Sequence, residues 1–231
     1  MSLYTLAFRE DEDRSFVFGP NERLDVAAEL MATIGSFDGD AVIVLPAGFV
    51  SAPSTGFRDD WADGLASVSR SAGVGLVFGI DVEEAERWGL TRCPRSFAYA
   101  CHRGRRLLWD ASPSERSSTL GERTVALGGL RATVLFGREL FGARAAPAVE
   151  AARPDLVLVL GHGGPTKRWL PGFAAIDELA PTLVVHQALE LRRPVTLPAP
   201  RGWRPTVTKG AVRIVCYRRE PDGAAARVVG H

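Results

Sequence analysis

Apolar positions fall into short runs separated by turn signals, and the period of those runs predicts the elements. Leu3 to Phe8 alternates weakly before a charged turn and reads as a strand. Asp25 is the expected cap of a helix whose apolar face is Val26, Leu30 and Ile34, with Ala27 and Met31 beside them. After the turn Gly35 to Asp40, Ala41 to Leu45 is a continuous apolar run ending at Pro46, as expected of a strand covered on both faces. Ser51, Pro53 and Ser54 predict a loop. Phe57, Trp61, Leu65 and Val68 then recur at helical spacing. Val74 to Ile80 reads as a buried strand.

Downstream, Ser96 to His102, Arg106 to Asp110, Thr124 to Leu127 and Leu130 to Phe136 predict strands joined by Gly-bearing turns. Ala143 to Ala152 is Ala-rich and helical, Asp155 to Leu160 a strand, Arg168 to Leu179 a helix. Thr182 to Ala188 and Val212 to Tyr217 predict the last strands, with a Pro- and Arg-rich loop from Arg192 to Arg204 between them. No composition shift or fixed-period repeat divides the chain, so residues 1–231 are expected to form one domain. Two mixed sheets packed face to face, with helices outside, would bury this set.

Composition narrows the functional classes. The 231 residues are 46% hydrophobic and 24% charged with a net charge of +1, which argues against a nucleic-acid surface. Cys93, Cys101 and Cys216 are widely spaced and form neither a disulfide framework nor a zinc pattern, which fits a reducing cytoplasm. No signal peptide or bilayer-length apolar run is expected, and neither metal nor other cofactor is expected. The only lysines are Lys167 and Lys209, so no lysine precedes position 167.

Four segments resemble one family in order and character. Val42-Ile43-Val44-Leu45-Pro46-Ala47 is a strand running into a Pro-X dipeptide. Gly104 to Ser112 is a strand after a Gly turn, delivering Trp109 and then Ser112. Ala132-Thr133-Val134-Leu135-Phe136-Gly137-Arg138-Glu139 is a buried strand leading to an elbow, and Arg153-Pro154-Asp155-Leu156-Val157-Leu158 follows the elbow helix. This order is similar to that of the nitrilase, or carbon–nitrogen hydrolase, superfamily. The resemblance runs over roughly Leu3 to Arg218 and implies an α/β fold: a four-layer α-β-β-α sandwich with two mixed β-sheets. It also implies homodimers or larger homo-oligomers.

In that family a carboxylate, an ammonium and a thiolate converge on one carbonyl or nitrile carbon. The resemblance places Ala47 at the Glu position, Ser112 at the Lys position and Gly137 at the Cys position. Ala has no proton to move, Ser is no cation, and Gly has no nucleophile. The expectation is therefore a fold without its chemistry, serving to bind a small molecule or a protein, or as the partner subunit of an active enzyme. Glu139 stands where the family has Asp. The alternative is a hydrolase of amide bonds with a rearranged site near His162 and Glu139.

The remaining candidates each have a plain structural reading. His162, in Gly161-His162-Gly163-Gly164-Pro165, either lines a pocket with Lys167 and Arg138 or is a solvated turn residue. Cys101 and His102 are neighbours on a strand and so face opposite ways, which argues against a nucleophile–base pair. Ser51 and Ser54 fit turn and N-cap work, His186 with Gln187 a hydrogen-bonded pair, and the Arg192–Arg204 loop an edge cover or subunit contact.

Overall fold

The structure is a computed structural model, which describes residues 1–8, 19–82, 95–102, 105–110, 123–162, 167–186, 197–207 and 212–219. Its strands are β1 (Ser2–Phe8), β2 (Val42–Val44), β3 (Val50–Ala52), β4 (Gly75–Val82), β5 (Arg95–His102), β6 (Arg105–Asp110), β7 (Thr124–Leu127), β8 (Leu130–Phe136), β9 (Leu156–Leu160), β10 (Thr182–Val185), β11 (Trp203–Val207) and β12 (Val212–Arg219). Its helices are α1 (Pro20–Gly35), α2 (Thr55–Ala72), α3 (Ala145–Ala152) and α4 (Trp169–Leu179), with a 3-10 turn at Gly137–Phe141.

Two mixed sheets form among these residues. One runs β11-β12-β1-β2-β4-β5-β6, with β3 also paired to β4; the other runs β10-β9-β8-β7. Strands β1, β2 and β4 are mutually parallel and flanked on both sides by antiparallel strands, whereas β8, β9 and β10 are mutually parallel out to the β10 edge, with β7 alone antiparallel.

Alternation along the strands assigns the layers, because successive side chains leave opposite faces of a sheet. Tyr4, Leu6, Phe8, Ile43, Leu76, Phe78, Ile80, Phe97 and Tyr99 face α1 and α2. Leu3, Val42, Val44, Val77, Ala98 and Ala100 face the other way, against Val134, Phe136, Leu156, Leu158 and Leu160 of the second sheet. Leu135, Val157 and Val159 then leave the outer face of that sheet to meet Val149, Trp169 and Ile176 of α3 and α4. The layers are thus helix, sheet, sheet, helix: the expected four-layer α-β-β-α sandwich. The central strands are buried on both faces, which is why they read as unbroken apolar runs.

Several boundaries differ from the pattern-based expectation. α1 starts at Pro20, with Gly19 as its N-cap, and Asp25 is an exposed residue inside it. The Glu22 carboxylate accepts a bond from the Gly19 N–H at 2.7 Å, and Pro at the first helical position loses no bond. Ser51 lies in β3, parallel to β4, rather than in a loop. Ser54 does cap α2, accepting from the Phe57 N–H at 3.5 Å, although Phe57 itself is exposed. β11 occupies the end of what read as a loop; it is an edge strand, where Pro205 is tolerated because one side of the ladder is unpaired.

Cys101 is buried against the helices, and Cys216 is half-buried opposite Tyr4. Burial, with the Cys216 thiol beside it, pushes the Tyr4 phenol up to about 12. Ser112, Cys93, Gln187 and residues 192–196 lie outside the described residues. No helix among the described residues is long and apolar enough to cross a membrane.

Candidate functional site

The parallel strands bring their carboxyl ends to one end of the sandwich, where ligand crevices form in α/β proteins. In register, Phe136 of β8 lies beside Leu160 of β9, so Gly137 and Gly161 leave adjacent strands at the same level. From the opposing sheet, Asp81 near the end of β4 and Ser96 near the start of β5 are cross-strand partners. His162 bridges to both.

The turn after β2 is held over β4. Leu45 N–H donates to the Val77 carbonyl at 2.8 Å and Phe49 N–H to the Gly79 carbonyl at 3.2 Å. Between them Ala47 lies against Gly79, where an added Cβ would come within 2.6 Å of the Ala47 Cα. Ala47 is fully buried and packs in the core between the sheets. Its neighbour Gly48 has φ +61, and a Cβ there would meet Asp81 Oδ2 at 2.8 Å and His162 Cδ2 at 2.9 Å. Glycine is required at that point on both counts.

Gly137 is also closed in. A Cβ at this position would run into the Trp169 ring, and a Cβ on Gly172 of α4 would run into the Leu140 carbonyl. The 3-10 turn and α4 therefore interlock, each supplying the glycine that the other needs. Phe141 meets the Trp169 ring edge-on at 6.1 Å, so an aromatic pair covers the elbow.

Glu139 is held in place rather than poised for chemistry. Arg123, which is fully buried, donates from Nη1 to both Glu139 carboxylate oxygens at 2.8 and 2.7 Å and lies 5.4 Å from the Phe136 ring centroid. The same carboxylate accepts from the Phe136 N–H at 2.8 Å. His162 and Glu139 are thus not paired; the carboxylate that His162 meets is Asp81, at 2.7 and 2.9 Å, with Ser96 Oγ at 3.2 Å. Arg138 and Lys167 are exposed, and no bond or ion pair joins either to His162 among the described residues. Among the described residues, no group of three His, Cys, Asp or Glu is placed to hold a metal.

Asp81 and Ser96 were not among the candidates from sequence. The available signal was Asp81 itself, a carboxylate closing the apolar run of β4 in a strand that is buried throughout. A buried carboxylate implies a partner.

No protein-family model matches the chain, and no curated protein matches it. Solved structures do. An amidase from Nesterenkonia sp. AN1 in complex with acrylamide superposes with a TM-score of 0.61 at 16% identity, covering 97% of this chain and 92% of that one. A variant of that amidase, described as belonging to the nitrilase superfamily, gives 0.58 at 18% identity over 94% and 90%. This chain has the nitrilase-superfamily fold. A further form of the same amidase carries the acetamide moiety of fluoroacetamide on its active-site cysteine; it superposes at 0.59 with 18% identity over 95% and 91%. At such identities the likeness speaks for the nitrilase fold alone, and the chemistry has to be argued from the side chains.

Proposed function

We propose that this nitrilase-fold chain has no amidase or nitrilase activity and serves, as a single domain, to bind a small molecule or a protein. The observation that carries the reading is the closed elbow. Gly137, which the resemblance puts at the nucleophile position, lies under Trp169 with no room for a side chain. Ala47, at the general-base position, is sealed in the inter-sheet core. The lysine position is Ser112, and no lysine exists in the first 166 residues. Loss of the members of such a set costs several orders of magnitude in rate. The reading includes a cytoplasmic homodimer or larger homo-oligomer, measurable by sedimentation, with no nucleic acid or membrane as partner.

The test is ammonia release from acetamide, acrylamide and butyramide by the purified chain, with and without a thiol alkylating agent. The expected result is no release above the blank. Steady release that alkylation stops would overturn the reading.

A second reading is favoured by one observation, the polar cluster at the same end of the sandwich. It holds that the chain hydrolyses carbon–nitrogen bonds through a rearranged site near His162 and Glu139. Asp81 strengthens it, because a carboxylate on the imidazole orients the ring and stabilises the imidazolium that a general base becomes. Amide turnover that is unchanged in a His162→Ala, Glu139→Ala double variant sinks this second reading.

A further inference from the structure

Asp81, Ser96 and His162 are the residue types of a hydrolytic triad, but their connectivity is different. Both Asp81 oxygens and the Ser96 hydroxyl approach one nitrogen, Nε2, at 2.7, 2.9 and 3.2 Å. That nitrogen has a single in-plane site, filled by a proton or by a lone pair. While it donates to Asp81 it accepts nothing from Ser96, so this imidazole does not activate that hydroxyl.

What the arrangement does instead follows from the ring. Asp81 is nearly buried, and both its oxygens lie within hydrogen-bond distance of Nε2; a carboxylate can only accept, which favours the tautomer with the proton on that nitrogen. In the neutral ring the lone pair then resides on Nδ1. The Cδ2 edge packs toward Gly48, which has no side chain to push it away. Nδ1 lies on the opposite edge, the His162 side chain is 50% exposed, and no hydrogen bond meets Nδ1 among the described residues. The imidazole is therefore anchored on one side and offers a basic nitrogen on the other.

We propose that His162, held in the Nε2–H tautomer by Asp81, activates water at Nδ1 for the hydrolysis of carboxylic esters with good leaving groups. The proposal rests on the second reading above, that a rearranged site near His162 is hydrolytic, and changes its substrate class. Water adds to the ester carbonyl carbon; its proton passes to Nδ1 and the carbonyl electron pair moves onto oxygen. Collapse of that intermediate breaks the bond to the leaving oxygen, which takes the proton back from Nδ1. The products are a carboxylic acid and an alcohol or phenol, and nothing is oxidised or reduced. Asp81 offsets the imidazolium charge between the two steps. Esters suit the site better than amides because it supplies a base without a covalent nucleophile. An amine is the poorer leaving group.

The experiment follows p-nitrophenyl acetate hydrolysis by the full chain. The expected result is turnover that falls about 100-fold in kcat/KM in His162→Gln, the scale of one general base. Asp81→Asn, a change at a positioning residue, is expected to lower kcat with little change in KM. It should also remove the Nε2–H signature from the imidazole 15N spectrum. A His162→Gln variant as fast as wild type overturns the proposal, as does a wild-type spectrum with the proton on Nδ1. Loss of turnover in Ser96→Ala with an acetylated wild-type chain also overturns it, by making Ser96 the nucleophile. Ammonia release from acetamide is read in parallel. Amide turnover that needs His162, without ester turnover, keeps the rearranged site but overturns the substrate class; absence of both overturns both.

Discussion

The elbow at Gly137 and the strand end at His162 are neighbours in one sheet, yet they are finished in opposite ways. At the elbow, α4 and the 3-10 turn close on each other through Gly137 under Trp169 and Gly172 against Leu140. One turn of chain away, on the adjacent strand, a half-exposed imidazole is fixed by Asp81 from the opposing sheet. The first arrangement is apolar and interlocked; the second is polar and half exposed. The difference teaches that the backbone frame of this fold positions strand ends whatever stands on them. A site can be filled at one strand end and built at the next without disturbing the sheets.

The largest effects are expected where the residues that the family resemblance would put at positions 47 and 137 are introduced. Ala47→Glu forces a carboxylate into the fully buried position against Gly79 and the inter-sheet core. An uncompensated charge there is expected to cost about 3–5 kcal/mol. Urea denaturation measures it, and a loss under 1 kcal/mol would mean that the Ala47 turn is looser than its packing implies. Gly137→Cys comes next. Its side chain has to displace Trp169, an overpacking that costs about 1–3 kcal/mol and should shift the emission of that indole. Neither change, nor both together, is expected to produce ammonia from acetamide, because the first 166 residues still hold no lysine.

The same contrast explains what was legible in sequence. β8 was readable to its ends, Leu130 and Phe136, because apolar residues dominate it after the exposed Arg131 and a Gly-Gly turn precedes it. The Leu156–Leu160 run of β9 is unbroken because that strand is buried on both faces, which also made the placing of His162 at a strand end readable. α1 was misread at its start, since Asp25 looks like a cap, whereas Glu22 serves Gly19 from inside the helix. β3 and β11 were missed because Ser51 and Pro205 carry turn signals that pairing partners override. The two site features depended on long-range packing. Asp81 lies 81 residues from His162, and Trp169 reaches Gly137 only because α4 docks on the 3-10 turn. No local period encodes either contact.

Gly48→Ala sharpens the comparison from the polar side. The backbone there has φ +61, which costs a side-chain-bearing residue about 1–2 kcal/mol. The added methyl also falls 2.8 Å from Asp81 Oδ2 and 2.9 Å from His162 Cδ2. Relief comes from moving the half-exposed imidazole, so the Asp81–His162 bond should loosen while the elbow stays intact. The check is a pair of readings on one sample: the imidazole 15N spectrum, expected to change, and Trp169 emission, expected not to.

The smallest effect on stability belongs to His162→Gln. Its partner Asp81 is nearly buried, but the His162 side chain is half exposed and water replaces it readily. The glutamine amide can still donate to the Asp81 carboxylate, and a pair with one member half in solvent contributes about 0–1 kcal/mol, so the denaturation midpoint should barely move. That modest cost makes the variant informative. A residue retained for folding would lower stability and ester turnover together, whereas a base at an open strand end lowers turnover alone. A loss above about 2 kcal/mol, well beyond that range, would show that His162 ties the two sheets together and that its exposed edge is incidental.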